Sequence, residues 1–489
     1  MIKSICILGG GNSGLMTALM LRAAFPLLEI KLIKSSKIPT IGVGEGSTEH
    51  WVMFADMVGI TTKDIVDHAG ATIKHGIQFN NWSHDNDLFF HSLPEFLSSQ
   101  DRYSGLPYTL MHLISKNYPP KDLVWNMSKD GYVVDPQYAT SSQYHFDSLK
   151  LNAYLEKISK ERNIEIVEDT VIDVCLTDAG YVESLAGEKN SYFADFFIDN
   201  SGFERVIAKK ISIEWKPYSK YLPVNAAFAF PSQEEDDIYT HTHINGRTHG
   251  WSWKAPVQGR HGNGYVYCSE FTPLDVAVQE IQEDYPEQIN IVKEVKFVAG
   301  HADKFWSKNC VSMGLAGSFI EPLEASNIAT TIQQCRALIA SIVCWTPQDY
   351  FIEKQYNKTF EQVSQNILDY VQLHYLNGRT DSEFWKWCQY DMVLTDFNNK
   401  TLEYFKNNFV SYNFFHNNIY ELYDELDWIQ LMHGLKMFNI EKIAQIYSKC
   451  FYHLNDRTLH ELSSVVNKEN VKFYKHREAI QVIKDWKND

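Results

Sequence analysis

The 489-residue chain lacks several features that would settle its class at once. Its eight cysteines contain no CxxC pair. That argues against a zinc site or a disulfide framework and for reduced thiols, hence a cytoplasmic protein without a metal. No run of eighteen apolar residues occurs, and the first residues read as a strand, not a charged-then-apolar leader. Neither a membrane span nor an export signal is expected. Basic excess is missing too: the formal net charge is −16. A nucleic-acid binder would carry a basic face, so that partner class is not expected. Repeats and low-complexity tracts are absent. What is abundant is hydrophobic content at 44%, with twelve Trp and 27 Tyr. That suffices for a large core, and for aromatic walls around a flat substrate.

The organising stretch is Ile5–Gly14, ICILGGGNSG. An apolar run ends in Gly9-x-Gly11-x-x-Gly14, and a helix-forming run follows. Strand, glycine turn and helix together place unpaired N–H groups and a positive dipole end toward a pyrophosphate. Gly9, Gly11, Asn12, Ser13 and Gly14 are therefore candidate nucleotide contacts. A second strand, Leu28–Lys34, ends in Lys34 where such folds often place an acid for the ribose. Ile41–Thr48, IGVGEGST, reads as an irregular strap against a ligand, with Gly42, Val43, Gly44 and Glu45 as candidates and Thr48 opening the next helix.

Residues 70–82 read as one strand carrying Lys74 between Ile73 and His75. Residues 85–101 read as an inserted loop holding Phe89, Phe90 and His91. Tyr144–Asp147 precedes a helix over 148–162. Strands are expected at 164–167, 170–177 and 193–199, the last running through Asp199 into Asn200-Ser201-Gly202. From 222 to 300 strand-like runs alternate with turns, including Trp251-Ser252-Trp253-Lys254-Ala255-Pro256, whose indoles share one face at period two. They either pack a sheet or wall a site. Gly314 and Gly317 end a further strand. Glu321-Pro322-Leu323-Glu324 then leads into a helix over 325–343, where the N–H groups of Ser326 and Asn327 suit an anion. For the two carboxylates taken alone, simple capping of the helix is the usual reading. From about 346 the chain has helical spacing.

In company and in this order, these stretches resemble the flavin-dependent halogenases of the tryptophan halogenase family. The restricted parts are IGVGEGST, IKHGIQFNNW, YHFD, DNSGF, WSWKAP and GLAGSFIEPLEAS, and the resemblance covers most of residues 1–390. It implies an α/β fold: a flavoprotein-monooxygenase-like dinucleotide-binding sheet, an added mostly antiparallel sheet and a C-terminal helical region. It divides the chain into an FAD and halogenation unit, 1–345, and a helical unit, 346–489, over the substrate side. It implies that FADH2, supplied by a separate flavin reductase, O2 and a halide ion yield hypohalous acid. That acid travels to Lys74 and halogenates an electron-rich aromatic, with Glu324 assisting. Asp199 and Gly317 fall to the cofactor, and Ser326 and Asn327 to the halide. Trp251, Trp253 and Pro256 fall to the tunnel wall. Phe89, Phe90, His91 and Trp428 are candidates for the arene pocket.

The chain departs from the family pattern in three places. Ala325-Ser326-Asn327 stands where Ser-Thr-Gly is usual, which opens halide preference toward bromide or iodide. Ala255 replaces Ile in WxWxIP, and Lys34 replaces the acid. Two other readings remain open on the residues alone: a flavin monooxygenase or dehydrogenase of the same fold, and a non-catalytic flavin-binding protein. Size and aromatic content also permit a homodimer.

Overall fold

The computed structural model describes residues 2–38, 45–83, 88–92, 106–117, 119, 130–136, 143–347, 350–411, 414–415, 418–450 and 472–486. Gly42, Val43 and Gly44 lie outside the described residues.

Two sheets carry the site. The first has six strands in the order Trp306–Ser307, Cys310–Ser312, Phe196–Asp199, Ser4–Leu8, Glu29–Lys34, Glu165–Glu168. All pairs are parallel except the first. Its central strand, SICIL, is buried from Ile5 onward because helices cover parallel sheets on both faces. The helix Asn12–Ala24 follows directly and buries nine residues from Asn12 to Leu21. The second sheet has seven strands in the order Lys293–Lys296, Ala226–Ser232, Arg260–Tyr267, Gly250–Val257, His241–Gly246, Gly76–Asn80, Phe89–Ser92. It is antiparallel except where His241–Gly246 meets Gly76–Asn80. The expected α/β architecture with an added, mostly antiparallel sheet is present.

Helices dominate beyond residue 346. Tyr350–His374 is the longest among the described residues, and its last twelve residues are almost continuously buried. It runs under the helix Glu425–Gly434, whose N-cap Asp424 forms a reciprocal capping box with Asp427. The principal core is continuous from Ile5 in the parallel sheet to Trp428 and Ile480 near the C-terminus. All seven described cysteines are free. Among the described residues no helix is long and apolar enough to cross a membrane, and no cluster of His, Cys, Asp and Glu suits a metal ion.

Several local expectations are corrected. Residues 70–82 are not one strand but two, Thr72–Ile73 and Gly76–Asn80. Between them the chain changes partners. Lys74 N–H donates to Gln143 and His75 N–H to Thr240, so the backbone leaves the sheet of Tyr144–Phe146 for that of His241–Gly246. Gly76 makes the passage possible at φ +141°, since a Cβ there would lie 2.3 Å from the His91 carbonyl oxygen. Phe89–Ser92, expected in a loop, is the edge strand beside it. Glu45–Gly46, expected to be irregular, pairs with His145–Phe146. The following helix opens at Trp51, three residues past Thr48, whose carbonyl accepts the Trp51 N–H. Residues 193–199 break after Phe193: Ser191–Phe193 joins a separate three-stranded sheet, and Asp195 turns its carboxylate to the N–H groups of Lys3 and Ser4.

Candidate active site

A cavity of about 790 Å³ opens over the glycine turn. That is within the usual range for a cofactor or drug-sized ligand. Gly9 to Ser13 form its floor, and Lys34, Ser35 and Ser36 border it beyond the second strand. The three motif glycines differ in what they do. Gly9 has φ +125°, and a Cβ would sit 2.1 Å from the Asn200 carbonyl oxygen. Gly14 packs against the Gly9 carbonyl oxygen, 2.0 Å from its own missing Cβ. Gly11 alone faces open space. Two glycines therefore shape the turn, and the third leaves bare backbone toward the cavity. Ser13 Oγ donates to Asn200 Oδ1 at 2.7 Å and lies 3.2 Å from Thr331 Oγ1. Asn152 Nδ2 donates to Gly10 O at 2.9 Å and to Asn12 Oδ1 at 3.1 Å, bracing the turn from the helix Ser148–Glu161. A dinucleotide pyrophosphate fits this cradle: bare glycine backbone, a helix N-terminus and a polar rim.

Other nucleotide candidates are placed differently. Asp199 is fully buried and does not line this cavity. Its carboxylate accepts the N–H groups of Ser201, Ile207 and Ala208 and the Ser201 hydroxyl, so it anchors the loop and the next helix. Gly317 bonds back to Gly314 and sits against the Ser312 carbonyl oxygen. Gly314, with φ +56° and a missing Cβ 2.4 Å from Ser13 Oγ, borders the cavity in its place. Of Glu45 only the backbone pairing is described. Lys34, which ends the second strand in place of an acid, is salt-bridged to Glu156 of a neighbouring helix at 2.5 Å.

The same cavity runs past Trp253 and Ala255 to Ala325 and Asn327, at the N-terminus of the helix Ser326–Ile342. Ala325, the N-cap, has φ +52°. Ser326 is buried but not on the cavity wall. Trp251 and Trp253 share a face, ring centroids 6.1 Å apart. Only Trp253 reaches the cavity; the Trp251 indole N–H donates to Tyr375 Oη at 3.0 Å. Tyr375 in turn donates to Glu321. Burial pushes the Glu321 carboxyl up to about 8, so it is protonated at neutral pH. Pro256 is buried, and its carbonyl accepts the Thr72 hydroxyl.

Lys74 lines the large cavity and also a second one of about 30 Å³ on its far side. The second is water-sized. His91, Glu324, Asp427, Glu49 and Gln143 are among its walls. Lys74 is 2% exposed, and its Nζ donates to the Ser47 carbonyl at 2.8 Å. Burial lowers its pKa to about 8, against the opposing pull of the Glu324 and Glu49 charges. The backbone beside it is also held from the C-terminal helix: Ile73 N–H donates to His476 Nε2 at 2.8 Å.

Glu324 is 2% exposed and has both oxygens engaged. Oε2 lies 2.9 Å from His91 Nδ1, and Oε1 lies 2.7 Å from His374 Nε2. His91 Nε2 meets Asp427 Oδ1 at 3.1 Å, and His374 Nδ1 meets the Tyr370 carbonyl at 3.0 Å. Burial alone would raise the Glu324 pKa, but the two histidines hold it at about 2. Burial would likewise strip the proton from His91, yet Glu324 and Asp427 push it up to about 10. Phe89 stacks on Phe79 in the core, Phe90 tilts against His241, and Trp428 is packed among Phe397, Phe405 and Phe415. Of the four arene candidates, only His91 borders the small cavity among the described residues. Asp427, His374, Asn152 and Thr331 escaped the sequence reading. Asp427, His374 and Asn152 come from helices whose own residues carry no motif, and Thr331 lies a turn past the EPLEAS stretch, so only their spatial convergence marks them.

Fold and cavities define an α/β dinucleotide-binding protein with a buried lysine at the far end of its cofactor cleft. The profile of the tryptophan halogenase family matches residues 4–448. The 7-chloro-L-tryptophan 6-halogenase KtzR of Kutzneria sp. is 27% identical over 418 residues, covering 78% of this chain and 80% of that protein. The tryptophan 7-halogenase RebH of Lentzea aerocolonigenes is 28% identical over 420 residues, 79% of this chain and 78% of its own. Among solved structures, the flavin-dependent halogenase BrvH from Brevundimonas sp. BAL3 matches with a TM-score of 0.84 at 22% identity, over 99% of both chains. The tryptophan 6-halogenase SttH from Streptomyces toxytricini matches with 0.85 at 23%, over 98% of this chain and 99% of that one. This chain belongs to the tryptophan halogenase family. It is a halogenase enzyme with the flavin-dependent halogenase fold.

Proposed function

We propose that the protein is an FADH2-dependent halogenase in which hypohalous acid reaches Lys74 and substitutes an electron-rich aromatic. One observation carries this reading: Lys74 borders both the glycine-floored cavity and the small charged cavity. A reactive group at that position receives an oxidant from the larger cavity and holds it next to Glu324. Bound reduced FAD supplies the electrons with which O2 is activated to oxidise a halide.

The chain's own residues do the rest. Gly9 to Ser13 hold the pyrophosphate, with Asn152 keeping the turn in place. Asn327 borders the cavity at a helix N-terminus, where N–H groups favour a halide. Its side chain stands in place of the usual Gly and alters the site, and the ranking of halides then follows ease of oxidation, with bromide or iodide ahead of chloride. Trp253 and Ala255 line the route toward Lys74. Lys74 directs the electrophile with its amine or ammonium group, its proton affinity lowered by burial. Glu324, held ionised between His91 and His374, lies across the small cavity from Lys74 and assists substitution on the ring. The reductant comes from a separate flavin reductase, since the chain shows a single dinucleotide fingerprint.

The test is a halide competition. Purified protein, FAD, a generic flavin reductase and an NADH-regenerating system are incubated with indoles, phenols and anilines. Chloride, bromide and iodide are supplied separately, with no-enzyme controls for free hypohalite. Halogenated products that require enzyme and disappear in Lys74→Ala are expected, ranked with bromide or iodide first. Equal product from Lys74→Ala overturns the relay, and chloride leading overturns the halide assignment.

A further inference from the structure

The side chains Asp427, His91, Glu324 and His374 form a continuous buried chain contributed by four separate segments. It ends on the Tyr370 carbonyl. Its proton count follows from geometry. There are four contacts: Asp427 to His91, His91 to Glu324, Glu324 to His374, and His374 to Tyr370 O. A carboxylate and a carbonyl only accept, so each contact needs one proton. Two neutral imidazoles bring two. With both carboxyl groups ionised, the remaining two protons sit on the rings, and the four side chains are then jointly neutral. Buried charge is tolerated on those terms, paired and hydrogen-bonded at every position.

This matters for Lys74. Its Nζ bonds to a backbone carbonyl, and no described carboxylate makes an ion pair with it. Several other groups face it. Glu49, beside His50, comes from the turn before Trp51–Val58. His145 and His241 come from the strands on either side, His75 is its chain neighbour, and His476 bonds the preceding residue. Burial pushes His75, His145, His241 and His476 below the ordinary histidine range, so they carry no charge at neutral pH. The remaining charges are Glu49 and the four-residue chain across the small cavity.

We propose that His91 and His374 are positioning residues, a pair of imidazolium ions that cancels the charges of Glu324 and Asp427 and so leaves Lys74 able to shed its proton. This rests on the reading of Lys74 as the halogen-directing residue. Without the pair, a bare Glu324 carboxylate would hold the lysine as ammonium. With it, Glu324 keeps a fixed geometry beside the substrate space but exerts little net pull on the amine.

Two experiments test this, and only the second needs halogenation. The first is a long-range proton–nitrogen NMR spectrum of histidine-labelled protein at pH 8.5, with His91→Gln and His374→Gln used for assignment. Both rings are expected as imidazolium while exposed histidines are neutral. Either ring found as a neutral tautomer overturns the proposal, whatever the enzyme's activity. The second is the pH profile of Lys74-dependent product formation in the same two variants. Loss of one imidazolium leaves a net negative charge, so the acid limb should move up by about one pH unit or more. Activity near pH 7 should fall about tenfold and recover at higher pH. A loss that is equal at all pH values overturns it. If Lys74→Ala still halogenates, the functional reading fails, and the NMR result still decides the protonation of the chain.

Discussion

The two cavities that share Lys74 are built on opposite principles. The larger one is floored by bare backbone and neutral hydrogen bonds, such as Ser13 with Asn200 and Asn152 with Gly10. The smaller one is water-sized and crowded with ionisable groups: Glu49, Glu324, Asp427, His91 and Lys74 itself. The first is shaped to accept a large ligand whose charge the protein need not match residue by residue. The second fixes the proton inventory of a few side chains. On the proposed function, binding and chemistry are divided between two physical environments, and one lysine belongs to both.

The largest effect expected from breaking that division is at Lys74. Lys74→Ala should lower halogenation at least about a hundredfold, in line with loss of a positioned proton-transfer or directing group. Flavin binding, measured by fluorescence titration, should be nearly unchanged. A parallel loss of both would mean that the two cavities are not separable. On the cofactor side the sharper contrast is between glycines. Gly9→Ala places a Cβ 2.1 Å from a carbonyl oxygen at positive φ and should cost about 1–3 kcal/mol, read as a lower Tm. Gly11→Ala meets open space, so Tm should hold while flavin affinity falls. Unchanged affinity there would show that the pyrophosphate lies elsewhere.

Stability should move the other way at the shared lysine. Its folded-state pKa, about 8, lies below the ordinary value of 10.5. The unfolded chain then binds more protons between those values, so stability rises with pH from about 8 to 10.5. The cost below pH 8 is about 3 kcal/mol. Lys74→Met should remove that pH dependence and raise stability at pH 7, offset in part by the lost bond to Ser47. A flat wild-type profile over that range would refute it. The smallest effect is expected at Trp428, whose indole N–H has no partner among the described residues. Trp428→Phe should change stability by about 1 kcal/mol or less and leave KM for the arene unchanged. A large KM change would return Trp428 to the substrate pocket.

Legibility in the sequence follows the same division. The glycine turn, the first strand and helix, and the helix beginning at Ser326 were readable because each is a local pattern with its own backbone requirement. Lys74 stood out because a cation interrupts an apolar stretch. The break of its strand did not show, since Ile73 and Ile77 alternate as one strand would. The cause is a change of partners at Gln143 and Thr240, far away in sequence. Asp199 looked like a ligand contact because an acid at a strand end before small residues suits either role; only its four hydrogen bonds show which it plays. His374 and Asp427 carried no signal. A buried histidine near the end of a 25-residue helix is indistinguishable from a packing residue until its partner on another segment is known.

The crossing at Lys74 and His75 has one more consequence. The chain there is clamped by Gln143, by Thr240 and, through Ile73, by a ring from the C-terminal helix. A side chain rooted at such a joint is a stationary landmark. On the proposed role of Lys74, variation in what the enzyme accepts comes from reshaping the surroundings and turning the visiting ring, and the atom that is modified is the one the walls bring to that landmark.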